Sequence, residues 1–126
     1  MDCCKETIHP RALKGLELFN QNKYFEAHEE LEIAWRDESG PLRDLYRGIL
    51  QAGVAYHHLL NGNITGCIKM LERSKYWLSA FPDNCLGINI KDLKENIDTV
   101  KQLVLQYDED IRVNHIFLKP IQYKSQ

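Results

Sequence analysis

Residues 24–37 read Tyr-Phe-Glu-Ala-His-Glu-Glu-Leu-Glu-Ile-Ala-Trp-Arg-Asp. With 3.6 residues per turn, Tyr24, Ala27, His28, Leu31, Ala34 and Trp35 fall in one arc about 120° wide. A strand would alternate apolar and polar positions, and this stretch does not. It predicts an amphipathic helix over Tyr24–Asp37 whose apolar arc needs a core made by its neighbours.

Those neighbours read the same way. Downstream, Ser39-Gly40-Pro41 closes the first helix and opens the next, because glycine and proline punctuate helical runs. From Pro41 to Leu60 the residues Leu42, Leu45, Tyr46, Ile49, Leu50, Val54, Ala55, Tyr56 and Leu59 cover most of a helix's circumference, which marks a central helix. Upstream, Pro10 suits a first helical position, and Ala12, Leu13, Leu16 and Phe19 give an inner face to a helix reaching Gln21. Asn63 is a good N-cap for a helix carrying Ile64, Cys67, Ile68, Leu71 and Leu78, and that helix stops before Phe81-Pro82. A fifth helix, from Lys91 to Tyr107, carries Leu93, Ile97, Val100, Val104 and Tyr107 at spacings of three and four. No segment keeps a period of two, so no sheet is expected.

The expected fold is therefore all-α, a compact bundle of about five helices built from antiparallel hairpins. An internal repeat at an offset of 40 pairs Asn22, Ala27, Leu31, Glu32 and Ala34 with Gly62, Cys67, Leu71, Glu72 and Ser74. That pattern is tetratricopeptide-like, although such repeats recur every 34 residues or so. The chain divides into a flexible N-terminus (1–8), a single helical domain (9–107) and a tail (108–126). Ile116-Phe117-Leu118 and Ile121 in the tail are too apolar to float, and dock on the chain's own core or on a partner, including a second copy.

Composition narrows the function classes. The 126 residues are 44% hydrophobic and 27% charged, with a net charge of −2, as in a globular domain with a real core. That charge argues against nucleic acid and against a polybasic membrane surface. No run reaches membrane-spanning length, and MDCCKETIHP at the start has no apolar signal stretch. Cys3, Cys4, Cys67 and Cys85 form no CxxC motif, so reduced thiols and a cytoplasmic location are expected.

The polar residues carry what functional signal there is. His28, Glu29, Glu32 and Arg36 lie within about 100° of helix surface, bordering the apolar arc. Arg43, Arg47, Gln51 and His58 lie within about 80° on the next helix and form its only polar line. Such a line needs partners or costs several kcal/mol, so Arg43 and Arg47 are expected to pair with Glu29 and Glu32. The seam either fixes helix register or lines a small polar pocket. As a metal site it is incomplete. His28-Glu29-x-x-Glu32 departs from the His-Glu-x-x-His zinc pattern at its last ligand, and the di-iron Glu-x-x-His signature from two helices fails because Phe25 and Ala55 stand three residues before His28 and His58. His28, Glu32 and His58 remain a minor metal candidate.

Phe25-Glu26-Ala27-His28-Glu29, Leu31-Glu32 and Trp35-Arg36, followed by Gly48-Ile49-Leu50-Gln51, His58, Gly62-Asn63 and Gly66, resemble the domain of unknown function 309 family. These are small all-helical proteins without an established activity. The resemblance covers about residues 9–107. It implies a compact helical domain and maps the family's motif onto His28, Glu29, Glu32, Trp35, Arg36, Gln51 and His58. Neither cofactor nor substrate is implied. The functional expectation is a non-catalytic protein-interaction or scaffold module. The alternative is a small-molecule or metal-dependent enzyme using His28, Glu29, Glu32, Gln51 and His58.

Overall fold

A computed structural model describes residues 1–107 and 118–124 of the chain. The first hairpin joins α1 (Pro10–Asn20) to α2 (Tyr24–Asp37). His9 caps α1: its Nδ1 accepts the Arg11 N–H at 3.0 Å, satisfying a donor with no intrahelical partner. Ala12, Gly15, Leu16 and Phe19 are buried on α1, and Tyr24, Ala27, Leu31 and Ala34 on α2. Contacts between His9 Nε2 and Asp37 (2.8 Å) and between Arg11 and Glu30 (3.0 Å) join the two helices at their outer edges.

The second hairpin joins α3 (Leu42–Leu60) to α4 (Ile64–Leu78). α3 is the central helix, packed on both α2 and α4. It approaches α4 closely at Gly48, where a Cβ would lie 2.7 Å from Leu78 Cδ2. At the same level Ser74 Oγ donates to the Gly48 carbonyl at 2.6 Å. Phe19, Tyr24 and Tyr56 cluster in the core, with ring centroids 5.1, 5.5 and 5.4 Å apart.

The two hairpin turns are the same device. Asn22 (φ 63°) and Gly62 (φ 80°) both take the left-handed conformation. The Asn22 N–H bonds to the Phe19 carbonyl at 3.0 Å and the Gly62 N–H to that of Leu59 at 3.1 Å. Lys23 bonds back to Leu18 at 2.9 Å and Asn63 to His58 at 2.8 Å. Every one of these pairs is offset by 40 residues, so the repeat in the sequence has a physical basis in a shared turn.

The expectation of no sheet is corrected. β1 (Asn84–Cys85) and β2 (Ile88–Asn89) form an antiparallel pair, extended by a bridge between Ile88 and Tyr123. Two-residue strands are too short to show a period of two. What builds them is the turn: Leu86 (φ 55°) and Gly87 (φ 78°) are both left-handed, as a tight hairpin requires. Leu86 tolerates that conformation while its side chain is buried.

The cysteine expectation is corrected as well. Cys4, in a short 3₁₀ turn over Asp2–Lys5, forms a disulfide with Cys85, 81 residues away. The Leu86 N–H bonds to the Cys4 carbonyl at 2.9 Å, so backbone pairing brings the sulfurs together. Cys3 and Cys67 are free, and Cys67 is buried as a small apolar residue. The argument from reduced thiols to a cytoplasmic location therefore applies to those two alone.

α5 (Ile90–Tyr107) lies against α4 with Leu93, Ile97, Val100 and Val104 buried; the Tyr107 side chain is outside the described residues. Of the apolar tail residues, Ile116 and Phe117 also lie outside them. Leu118 and Ile121 are buried in this chain's own core. The Asn20 side chain holds the Ile121 backbone from both sides, donating at 2.9 Å and accepting at 2.8 Å. Among the described residues no helix is long and apolar enough to cross a membrane.

Candidate functional site

The polar residues singled out in the sequence do not form one seam. They divide between an open groove along α3 and a smaller pocket near the α3 C-terminus.

The groove has a volume of about 660 Å³ and is floored by α3, with α2 and α4 as its walls. α2 contributes Glu32 and Trp35, and α3 contributes Arg47, Leu50 and Gln51. α4 adds Lys69, Glu72, Arg73, Tyr76 and Trp77. Arg47 sits between two indoles, its guanidinium carbon 5.0 Å from the Trp35 ring centre and 4.4 Å from that of Trp77. Arg43 lies over Trp35 as well, at 4.6 Å.

These stacks replace the expected ion pairs. Neither Arg43 nor Arg47 forms a salt bridge among the described residues. Glu32 is instead held within its own helix, by Arg36 at 2.6 Å and His28 Nε2 at 3.4 Å. Glu29 is exposed. The physical reason is competition. A neighbouring turn of the same helix reaches Glu32 without crossing the interface, and a guanidinium is weakly hydrated and planar enough to prefer indole faces. Each exposed cation–π contact contributes about 0.5–1 kcal/mol, and more where water is excluded.

Four side-chain polar atoms are buried without a hydrogen-bond partner among the described residues: His28 Nδ1, Trp35 Nε1, Gln51 Oε1 and Tyr56 Oη. Trp35 and Gln51 belong to the groove. Tyr56 belongs to the aromatic core, where burial pushes its phenol pKa upward.

The second pocket, about 250 Å³, is lined by Tyr24, Phe25, His28, Val54, His57 and His58. Phe25 packs beside the rings of His28 and His57, at 5.6 and 5.4 Å. Burial, and then the neighbouring His57, lower the pKa of His58. The neutral ring is thus favoured in the folded state, and the contribution of His58 opposes folding as pH falls through its unfolded value near 6.5. The residues of the minor metal candidate are separated here. Among the described residues no group of three or more His, Cys, Asp or Glu side chains is placed to hold a metal ion. Glu32 lines the groove, whereas His58 lines this other pocket.

Of the residues singled out in the sequence, Glu32, Trp35, Arg47 and Gln51 line the groove, and Arg36 and Arg43 touch its residues. His28 bridges toward the second pocket, which also takes His58. The α4 wall was missed. Its signal was present, since Lys69, Arg73, Tyr76 and Trp77 recur at i, i+4, i+7 and i+8 on one helical face. The apolar stripe through Cys67, Leu71 and Leu78 drew attention to the opposite side.

Comparison with known proteins agrees with the resemblance read from the sequence. Residues 12–70 match the family described as a domain of unknown function (DUF309). The DUF309 span holds most of α1, all of α2 and α3 and the first part of α4, hence both hairpin turns. The groove residues Glu32, Trp35, Arg47, Gln51 and Lys69 fall inside it, while Arg73, Tyr76 and Trp77 lie beyond. An uncharacterized protein of Aquifex aeolicus (strain VF5) is 26% identical over 83 residues, which is 65% of this chain. The matched region covers 25% of that relative's own length.

Proposed function

We propose that this chain is a non-catalytic interaction module that receives a segment of a partner protein in the groove along α3. The observation that supports this reading is the Trp35–Arg47–Trp77 stack. It holds an arginine beside an open groove with no ion-pair partner among the described residues, next to a tyrosine that is 68% exposed. Tryptophan, tyrosine and arginine are the residues that dominate binding energy at protein interfaces. Held side chains also lose little entropy on binding. The two equivalent hairpins lend support to the tetratricopeptide-like comparison, since stacked hairpins create such grooves between helices. The tail supports a dimer less well, because Leu118 and Ile121 are spent inside the chain's own core. The enzyme alternative would need His28, Glu29, Glu32, Gln51 and His58 around one substrate, and their positions are divided between two pockets and an exposed helix face.

The test is selection from a displayed random-peptide library on the full chain, run in parallel on Trp77→Ala. The reading expects peptides that enrich on the natural chain and are lost with the variant, whose melting temperature is checked first. No enrichment, or enrichment that survives Trp77→Ala, overturns it.

A further inference from the structure

The groove's charge pattern identifies a partner chemistry. Four cations lie on or beside it: Arg43, Arg47, Lys69 and Arg73. None of them forms an ion pair among the described residues. The two carboxylates in the lining are already engaged by outside groups, Glu32 by Arg36 and His28, and Glu72 by Lys101 at 3.4 Å. The groove therefore presents unanswered positive charge on a chain whose net charge is −2.

Arg47 sets the geometry. Its guanidinium carbon lies over both the Trp35 and the Trp77 ring, so apolar ring surface flanks the cation. The N–H groups of a guanidinium form a planar fork that matches an oxyanion bidentately. Glu32 and Glu72 nearby favour a singly charged carboxylate over a doubly charged phosphate, because repulsion grows with the ligand's charge. Leu50, Tyr76 and Trp77 add apolar surface around the fork.

We propose that the groove binds an extended peptide segment carrying an aspartate or glutamate beside an apolar residue, with the carboxylate on the guanidinium of Arg47. This rests on the reading of the chain as an interaction module and names what that module recognises.

The test uses acetylated, amidated pentapeptides with a central Asp or Glu between apolar residues, each paired with its Asn or Gln isostere. Binding to the full chain is followed by its tryptophan fluorescence, since Trp35 and Trp77 both line the groove. The acidic peptides are expected to bind at least about tenfold more tightly than their amides, as a charge-assisted bond requires. Arg47→Met should abolish that preference. Arg73→Gln, an exposed change that leaves the stack intact, should reduce it several-fold and weaken its salt dependence. Equal binding of acids and amides overturns this proposal and leaves the interaction reading standing. Failure of every peptide, with binding of inorganic phosphate or a single-stranded oligonucleotide instead, overturns both. An acid preference untouched by either variant also refutes the assignment to Arg47 and its groove.

Discussion

Two glycines on α3 should respond in opposite directions to the same substitution. Glycine inside a helix costs about 1 kcal/mol relative to alanine, so propensity alone predicts that both Gly48→Ala and Gly53→Ala stabilise. The packing separates them. At Gly53 a new Cβ meets the Tyr24 carbonyl at 3.6 Å and the Phe19 ring at 3.7 Å, which is ordinary contact. Gly53→Ala should therefore stabilise by about 1 kcal/mol. At Gly48 the Cβ meets Leu78 Cδ2 at 2.7 Å, Cγ at 2.8 Å and the Leu78 backbone nitrogen at 3.4 Å. The backbone contact is ordinary, but Cγ is the branch point of the Leu78 side chain and not its far end, so Leu78 must leave its place or α4 must move away. That movement stretches the Ser74–Gly48 bond, now 2.6 Å. Overpacking costs about 1–3 kcal/mol, and the lost hydrogen bond about another 1 kcal/mol. After the propensity gain, Gly48→Ala should be about 1–3 kcal/mol less stable than the natural chain. Urea denaturation followed by far-ultraviolet circular dichroism reads both, with equal slopes confirming a native-state effect. If Gly48→Ala matches or exceeds the natural chain in stability, the close α3–α4 approach is refuted.

Three further outcomes follow from buried groups. Closing a loop between residues separated by 81 positions stabilises by about 4.5 kcal/mol in the chain-entropy account, so reductant, or Cys4→Ser with Cys85→Ser, should lower the melting temperature markedly; a transition indifferent to reductant contradicts the pairing. Tyr56→Phe removes a buried hydroxyl that has no partner among the described residues and should leave stability equal or up to about 1–2 kcal/mol higher; a loss beyond about 1 kcal/mol in the same urea assay would mean that the hydroxyl is bonded. Burial pushes the Cys67 thiol from 9.0 up to about 12, so above pH 9 the unfolded chain releases its proton first and stability falls toward pH 12, by up to about 1.4 kcal/mol per pH unit. Cys67→Ala should flatten the early part of that alkaline loss, measured as the urea midpoint against pH; an unchanged slope assigns the loss elsewhere.

Much of the fold was readable because helices announce themselves locally. Tyr24–Asp37 was bounded correctly by its apolar arc and by Gly40-Pro41, and Asn63 caps α4 through its bond to the Gly66 N–H at 2.9 Å. What was not readable depends on residues far apart in the chain. No spacing rule links Cys4 to Cys85, and β1–β2 rests on a turn in which a leucine takes a left-handed conformation. At the site, the polar line on α3 was visible but its partners were misassigned. A helical period shows that Arg47 and Glu32 border the same interface. It does not show that Arg36 reaches Glu32 first, nor that Trp77 arrives from α4 to enclose the guanidinium.

The Cys4–Cys85 bond also governs how the molecule bears mechanical load. Both hairpins and the whole groove lie on the covalent loop between these two cysteines. Tension applied to the chain ends passes through the sulfurs and bypasses α1 to α4. A stretching measurement on the oxidised protein would extract only the short N-terminal turn and the segment from Leu86 onward. About 280 Å of contour, for the separation of 81 residues, stays hidden until the bond is reduced. The groove along α3 is thereby insulated from force, and a protease cut anywhere within the loop leaves the two fragments joined.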